Sequence, residues 1–92
     1  MPYIGCKFAI CIENSEYPAS LELHKMYPVL PDEDAALDGY LRIIDESDED
    51  YLYPAEFFLV LELPDDTEHI LQESFSRRFE HAMNGQAISP IG

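Results

Sequence analysis

Positive charge is what this chain has least of. Lys and Arg together number 5 against 19 Asp and Glu, a formal net charge of −14 with neutral histidines and a pI near 4.2. Affinity for DNA or RNA comes largely from cations set against phosphates, so the balance argues strongly against direct nucleic-acid binding. It argues equally against attachment to an anionic membrane surface. Long apolar runs are missing too: none exceeds the length of Phe57 to Leu61, far short of the ~20 residues of a membrane-spanning helix. Met1-Pro2-Tyr3 has neither the basic start nor the apolar stretch of a secretory leader, so a cytoplasmic address is expected. Tryptophan is absent, and the 4 glycines form no phosphate-cradling loop. The two cysteines, Cys6 and Cys11, are five apart, so on one strand they point to opposite faces and cannot meet. They match no metal or redox spacing, and Cys11 reads as a reduced thiol packed like a small hydrophobe.

What is present fits one small domain. The 92 residues are too few for two, and 47% hydrophobic content is ordinary for a globular chain. In Lys7-Phe-Ala-Ile-Cys-Ile-Glu13, Phe8, Ile10 and Ile12 alternate with Ala9 and Cys11, the mark of a strand buried on both faces. Asn14 to Ser20 is a loop. Leu21 to Leu30 reads as a second strand, and Pro28, which has no N–H for a ladder, places it partly at a sheet edge. Pro31 to Gly39 is a polar loop with room for one helical turn, and Gly39 supplies an unusual backbone angle before the next strand. Gly39 to Asp45 and Tyr51 to Tyr53 flank an acidic turn and form a hairpin; Phe57 to Leu63 makes the last strand and ends at Pro64.

From residue 65 the period changes. Asp65 or Asp66 can cap a helix, with Glu68 as capping-box partner, and Leu71, Phe75, Phe79 and Ala82 form one apolar stripe. Asn84-Gly85 is a fitting stop, and 86–92 reads as a loose tail. The expected fold class is therefore mainly β: a small five-stranded barrel over 1–64, with a C-terminal amphipathic α-helix over 65–85 packed on the same domain.

The stretch Gly39 to Asp45, its acidic turn, and Tyr51-Leu-Tyr-Pro-Ala-Glu-Phe-Phe58 resembles the second half of a Src-homology-3-like barrel. Leu21 to Leu30 is similar to the diverging-turn segment of that fold, and the resemblance covers about residues 7–63. The chain also resembles small uncharacterised bacterial and phage-type proteins through Lys25-x-Tyr27-x-Val29-Leu30, Ile44-Asp45-Glu46-Ser47 and Tyr53-Pro54. Signalling members grip proline-rich ligands between stacked aromatics. The resemblance places Pro54 and Phe57 at such groove positions, while Tyr40 stands where those members carry tryptophan. It implies a protein-binding surface in altered form.

Three constellations bear on function. Between Asp32 and Asp50 lie nine carboxylates against Arg42 alone. One reading is solvated loops that keep a small protein soluble; the other is an electrostatic surface, with Asp32, Asp34, Asp38, Asp48 and Asp50 in it, for a basic partner. An EF-hand count from Asp45 fits at Ser47, Glu49 and Glu56 but meets Asp50 where the sharp turn needs Gly, and strands flank the loop. The tyrosines Tyr17, Tyr27, Tyr40, Tyr51 and Tyr53 are either half-buried strand residues or an aromatic contact patch. The stripe Leu71, Phe75, Phe79 packs on the barrel or pairs with a second copy as a homodimer. His24, His69 and His81 have no zinc-site interval, and no residue carries the marks of a catalytic acid or nucleophile. No cofactor, metal site or enzymatic activity is expected. The reading is a protein-interaction module for a basic protein or peptide, with Tyr17, Tyr40, Pro54 and Phe57 as apolar contacts. The alternatives are an acidic neutraliser, either an antitoxin or a nucleic-acid mimic, and then a small metal-dependent enzyme.

Overall fold

Each of the five runs rich in β-branched and aromatic residues forms a strand in the computed structural model, which describes residues 5–83 and the side chains of 5–77. In chain order these are β1 (Lys7–Cys11), β2 (Met26–Leu30), a short helix α1 (Glu33–Leu37), β3 (Tyr40–Ile44) and β4 (Asp50–Pro54). A 3₁₀ turn (Ala55–Phe57), β5 (Phe58–Val60) and the helix α2 (Asp65–Met83) complete it. The expected stop at Asn84-Gly85, the tail 86–92, and the side chains of Phe79, His81 and Ala82 lie outside the described residues.

The strands form one antiparallel sheet in the order β4-β3-β2-β1-β5. Its first four strands are a meander, and β5 returns to pair with β1 through Ala9 opposite Val60 and Cys11 opposite Phe58. This order forces curvature. Five strands laid flat would separate β4 from β5 by roughly 19 Å. The chain passes between them through the three residues of the 3₁₀ turn, and four Cα steps reach at most ~14 Å. The two edges must therefore approach, and the sheet curls into a half-barrel.

Strand alternation divides the core in two. The inner face collects Ala9 and Cys11 from β1, Tyr27 and Val29 from β2, Ile43, Tyr53 and Phe58, closed by Leu21 and Phe57. The outer face carries Cys6, Phe8 and Ile44, and α2 covers it with Leu71 and Phe75. The Phe8 and Phe75 rings lie 5.5 Å apart, and Gln72 Nε2 donates to the Cys6 carbonyl at 2.8 Å. Leu71 and Phe75 thus find their apolar partners within the chain. The two cysteines, both free and buried, sit in opposite halves of the core, as their spacing requires. Burial pushes the Cys6 thiol up to about 11, with the Glu68 carboxylate adding to the shift.

Three expectations need correction. The last strand covers only Phe58–Val60, with Phe57 in the 3₁₀ turn before it. The second strand covers only Met26–Leu30. Upstream of it the backbone is satisfied by turns and side chains: Leu21 N–H donates to the Tyr17 carbonyl at 3.0 Å and Glu22 N–H to the Tyr27 hydroxyl at 2.7 Å, while His24 adopts φ 66. Nor is this strand at an edge; β2 lies between β1 and β3. Pro28 is tolerated because Cys11 N–H bonds the Lys25 carbonyl, which puts the bonded rungs to β1 on odd positions of β2. Its ring nitrogen turns toward β3, whose pairing covers only Val29 and Leu30.

The loop between β2 and β3 holds the expected helical turn. Asp32 caps α1 by accepting from Ala35 N–H at 3.0 Å, and Gly39 takes φ +83 after it. Among the described residues no helix is long and apolar enough to cross a membrane.

Candidate functional site

Two open depressions flank the β3–β4 hairpin. The first, about 290 Å³, lies between α1 and the ends of β2 and β3, walled by Leu30, Pro31, Ala36, Tyr40 and Leu41. Its charged rim is built by Asp32. One oxygen of that carboxylate caps α1, and the other accepts from Arg42 Nε at 2.8 Å. Arg42 in turn donates from Nη1 to Asp50 at 2.9 Å. The Ala35 amide, and after it the guanidinium, hold the Asp32 carboxyl below its usual range. Arg42 is therefore committed to two acids of its own chain, and Glu33 and Lys7 add a further carboxylate and an ammonium to the lining.

The second depression, about 360 Å³, is lined by Tyr17, Ser20, Asp45, Ser47, Tyr51, Leu52 and Tyr53. Asp45 is the floor. It is only 3% exposed, and its charge is met by three donors: Ser47 N–H at 2.9 Å and Ser47 Oγ at 2.6 Å on one oxygen, and the Tyr53 hydroxyl at 2.6 Å on the other. Burial, followed by the bond to Asp45, pushes the Tyr53 hydroxyl up to about 12. Tyr17 stands over this floor with its ring 5.1 Å from that of Tyr53, edge to face, and 6.1 Å from Phe57. Tyr51 donates to Glu49 Oε1 at 3.0 Å, and that carboxylate raises its pKa. On the neighbouring side of the hairpin Tyr27 donates to Glu46, which also pairs with Lys25 at 2.8 Å.

The residues singled out from the sequence fall into separate groups. Tyr40 and Pro54 face each other in the β3–β4 ladder, and Tyr40 shares its groove with Asp32. Tyr17 and Phe57 pack together at the other depression, but Phe57 is buried in the core and offers almost no surface. Asp34 is exposed on α1 and Asp38 is its exposed C-cap. Asp48 occupies the hairpin turn at φ 65 and Asp50 joins the first groove only through Arg42. Asp45, which the sequence presents as one of nine similar acids and as the start of an EF-hand count, is the one the structure buries. The signal lay in Asp45-Glu46-Ser47, an Asx turn, together with Tyr53 across the hairpin. Among the described residues no three His, Cys, Asp or Glu side chains converge to hold a metal ion.

Comparison with known proteins gives no match: no family model, curated protein or solved structure matches this chain.

Proposed function

We propose that the chain is a protein-interaction module of the Src-homology-3-like kind, which binds a basic protein or peptide without transforming it. The observation that carries this reading is the apolar groove beside Tyr40 on a molecule of net charge −14, its rim holding the carboxylates of Asp32 and Glu33 together with Lys7 and the acid-paired Arg42. Supporting the fold are the strand order, the 3₁₀ turn between β4 and β5, and the pairing of Tyr40 with Pro54 at the place such modules use for ligand contact. A ligand with apolar and cationic side chains would bury the former in the groove and meet the carboxylates with the latter.

The test is titration with a peptide alternating Lys or Arg with apolar residues, from 20 mM to 500 mM salt. Affinity is expected to fall steadily with salt and to weaken several-fold in Tyr40→Ala. Binding that ignores both salt and Tyr40 would refute the proposal.

A further inference from the structure

We infer that the depression over Asp45 is a receptor for one arginine side chain of the basic partner, an assignment that rests on the function proposed above. Three tyrosines line it, and two of them are open to a ligand: Tyr17 is 40% and Tyr51 49% exposed. Beneath them Asp45 holds a buried negative charge. Among the described residues the ion pairs of Lys7, Lys25 and Arg42 go to Glu68, Glu46, Asp32 and Asp50. Among the described residues none goes to Asp45 or to Glu49; at this end of the hairpin Lys25 pairs with Glu46 instead.

The wall chemistry selects the occupant. A small, strongly hydrated metal ion needs several oxygen ligands in place of its water, and three phenol rings supply poor ones. A guanidinium is planar and weakly hydrated. It stacks on aromatic faces and carries five N–H donors that can bond carboxylate and hydroxyl oxygens together. The depression offers both partners, with Tyr17 and Tyr51 as faces and the Ser20 and Ser47 hydroxyls as acceptors. Both oxygens of Asp45 already accept hydrogen bonds, so it acts chiefly through its field, while Glu49 at Tyr51 is the exposed acceptor. A lysine ammonium, more tightly hydrated and without a stacking face, loses more on entering such a site.

The probes are the blocked tripeptide Gly-Arg-Gly and its lysine and citrulline counterparts, titrated into the full chain and followed by NMR. The arginine peptide is expected to shift the ring signals of Tyr17 and Tyr51 and the amides of Asp45 and Ser47. The lysine peptide should bind more weakly, and uncharged citrulline should leave the signals in place. Tyr51→Ala should weaken the arginine peptide about two- to fivefold, and Tyr51→Phe, which keeps the ring, should restore it. Equal binding of citrulline, or undiminished binding by Tyr51→Ala, overturns the assignment. A longer basic peptide separates the two proposals. If it binds with shifts confined to the groove at Tyr40, the arginine site is wrong and the interaction module stands; if neither basic probe binds anywhere, both fall.

Discussion

Replacing Tyr53 by Phe removes one oxygen atom and tests whether Asp45 is held as a buried anion. Tyr53 is only 4% exposed. Its ring lies among Tyr17, Phe58 and the inner core, and all of these contacts survive the change. What disappears is the 2.6 Å bond from its hydroxyl to the buried Asp45 carboxylate, together with the Ser20 hydroxyl's bond to the same Tyr53 oxygen. One Asp45 oxygen keeps Ser47, but the one bonded by Tyr53 loses its described donor on a residue only 3% exposed. A hydrogen bond to a charged group contributes about 1.5–3 kcal/mol, and a buried acceptor left without a donor costs about as much. Tyr53→Phe should therefore lower unfolding free energy by about 2 kcal/mol, which in a domain of this size is about 10 °C in Tm. Urea denaturation of the full chain measures it directly. In an Asp45→Asn background the acceptor is neutral, the bond is about half as strong, and the same replacement should cost about 1 kcal/mol. A wild-type loss below about 0.5 kcal/mol, or equal losses in both backgrounds, would refute the account of a buried charge held by this hydroxyl.

Alkaline pH should destabilise the fold through the same pair. The folded-state pKa of Tyr53 is raised from 10.0 to about 12, by burial first and by Asp45 second. A proton held more tightly when folded stabilises fully below pH 10, and that contribution is lost as pH rises toward 12. Tyr27, raised chiefly by burial and further by Glu46, acts in the same direction. Urea midpoints across pH 8–12 should fall, with a shallower decline in Tyr53→Phe; a flat profile would count against buried hydroxyls. Asp32→Ala removes the α1 cap and one partner of Arg42 and should lower the urea midpoint, with Asp32→Asn, which still caps, showing only part of that loss; an unchanged midpoint in Asp32→Ala would count against the cap. Phe75→Ala strips α2 of its ring against Phe8 and should cost about 3 kcal/mol, with amide-exchange protection lost first in α2; uniform loss across the sheet would contradict an outer-face helix.

Much of this architecture was legible before any coordinate. Alternating Phe8, Ala9 and Cys11 announced a strand buried on both faces, because strand geometry turns successive residues to opposite sides. Gly39 and the acidic turn announce an unusual backbone angle and the hairpin through local backbone chemistry, whereas Phe57, expected to open the last strand, closes the 3₁₀ turn before it. The stretch from Leu21 to Lys25 has residues that suit a ladder, yet its amides turn to scattered acceptors: Leu21 to the Tyr17 carbonyl, Glu22 to the Tyr27 hydroxyl, His24 to the Cys11 carbonyl and Lys25 to the Glu22 carbonyl.

The site divides along the same line. Composition alone determined a strongly anionic molecule with tyrosines gathered in the sheet region, since both follow from counting and short-range pattern. Only the tertiary structure decided which acid is buried. Asp45 differs from its neighbours not in chemistry but in standing where the hairpin sets Ser47 and Tyr53 around it. It likewise decided that Phe57 is core and Tyr40 is surface. Burial is a property of what packs across from a residue, and that partner is supplied by sheet curvature and register, which no local sequence pattern contains.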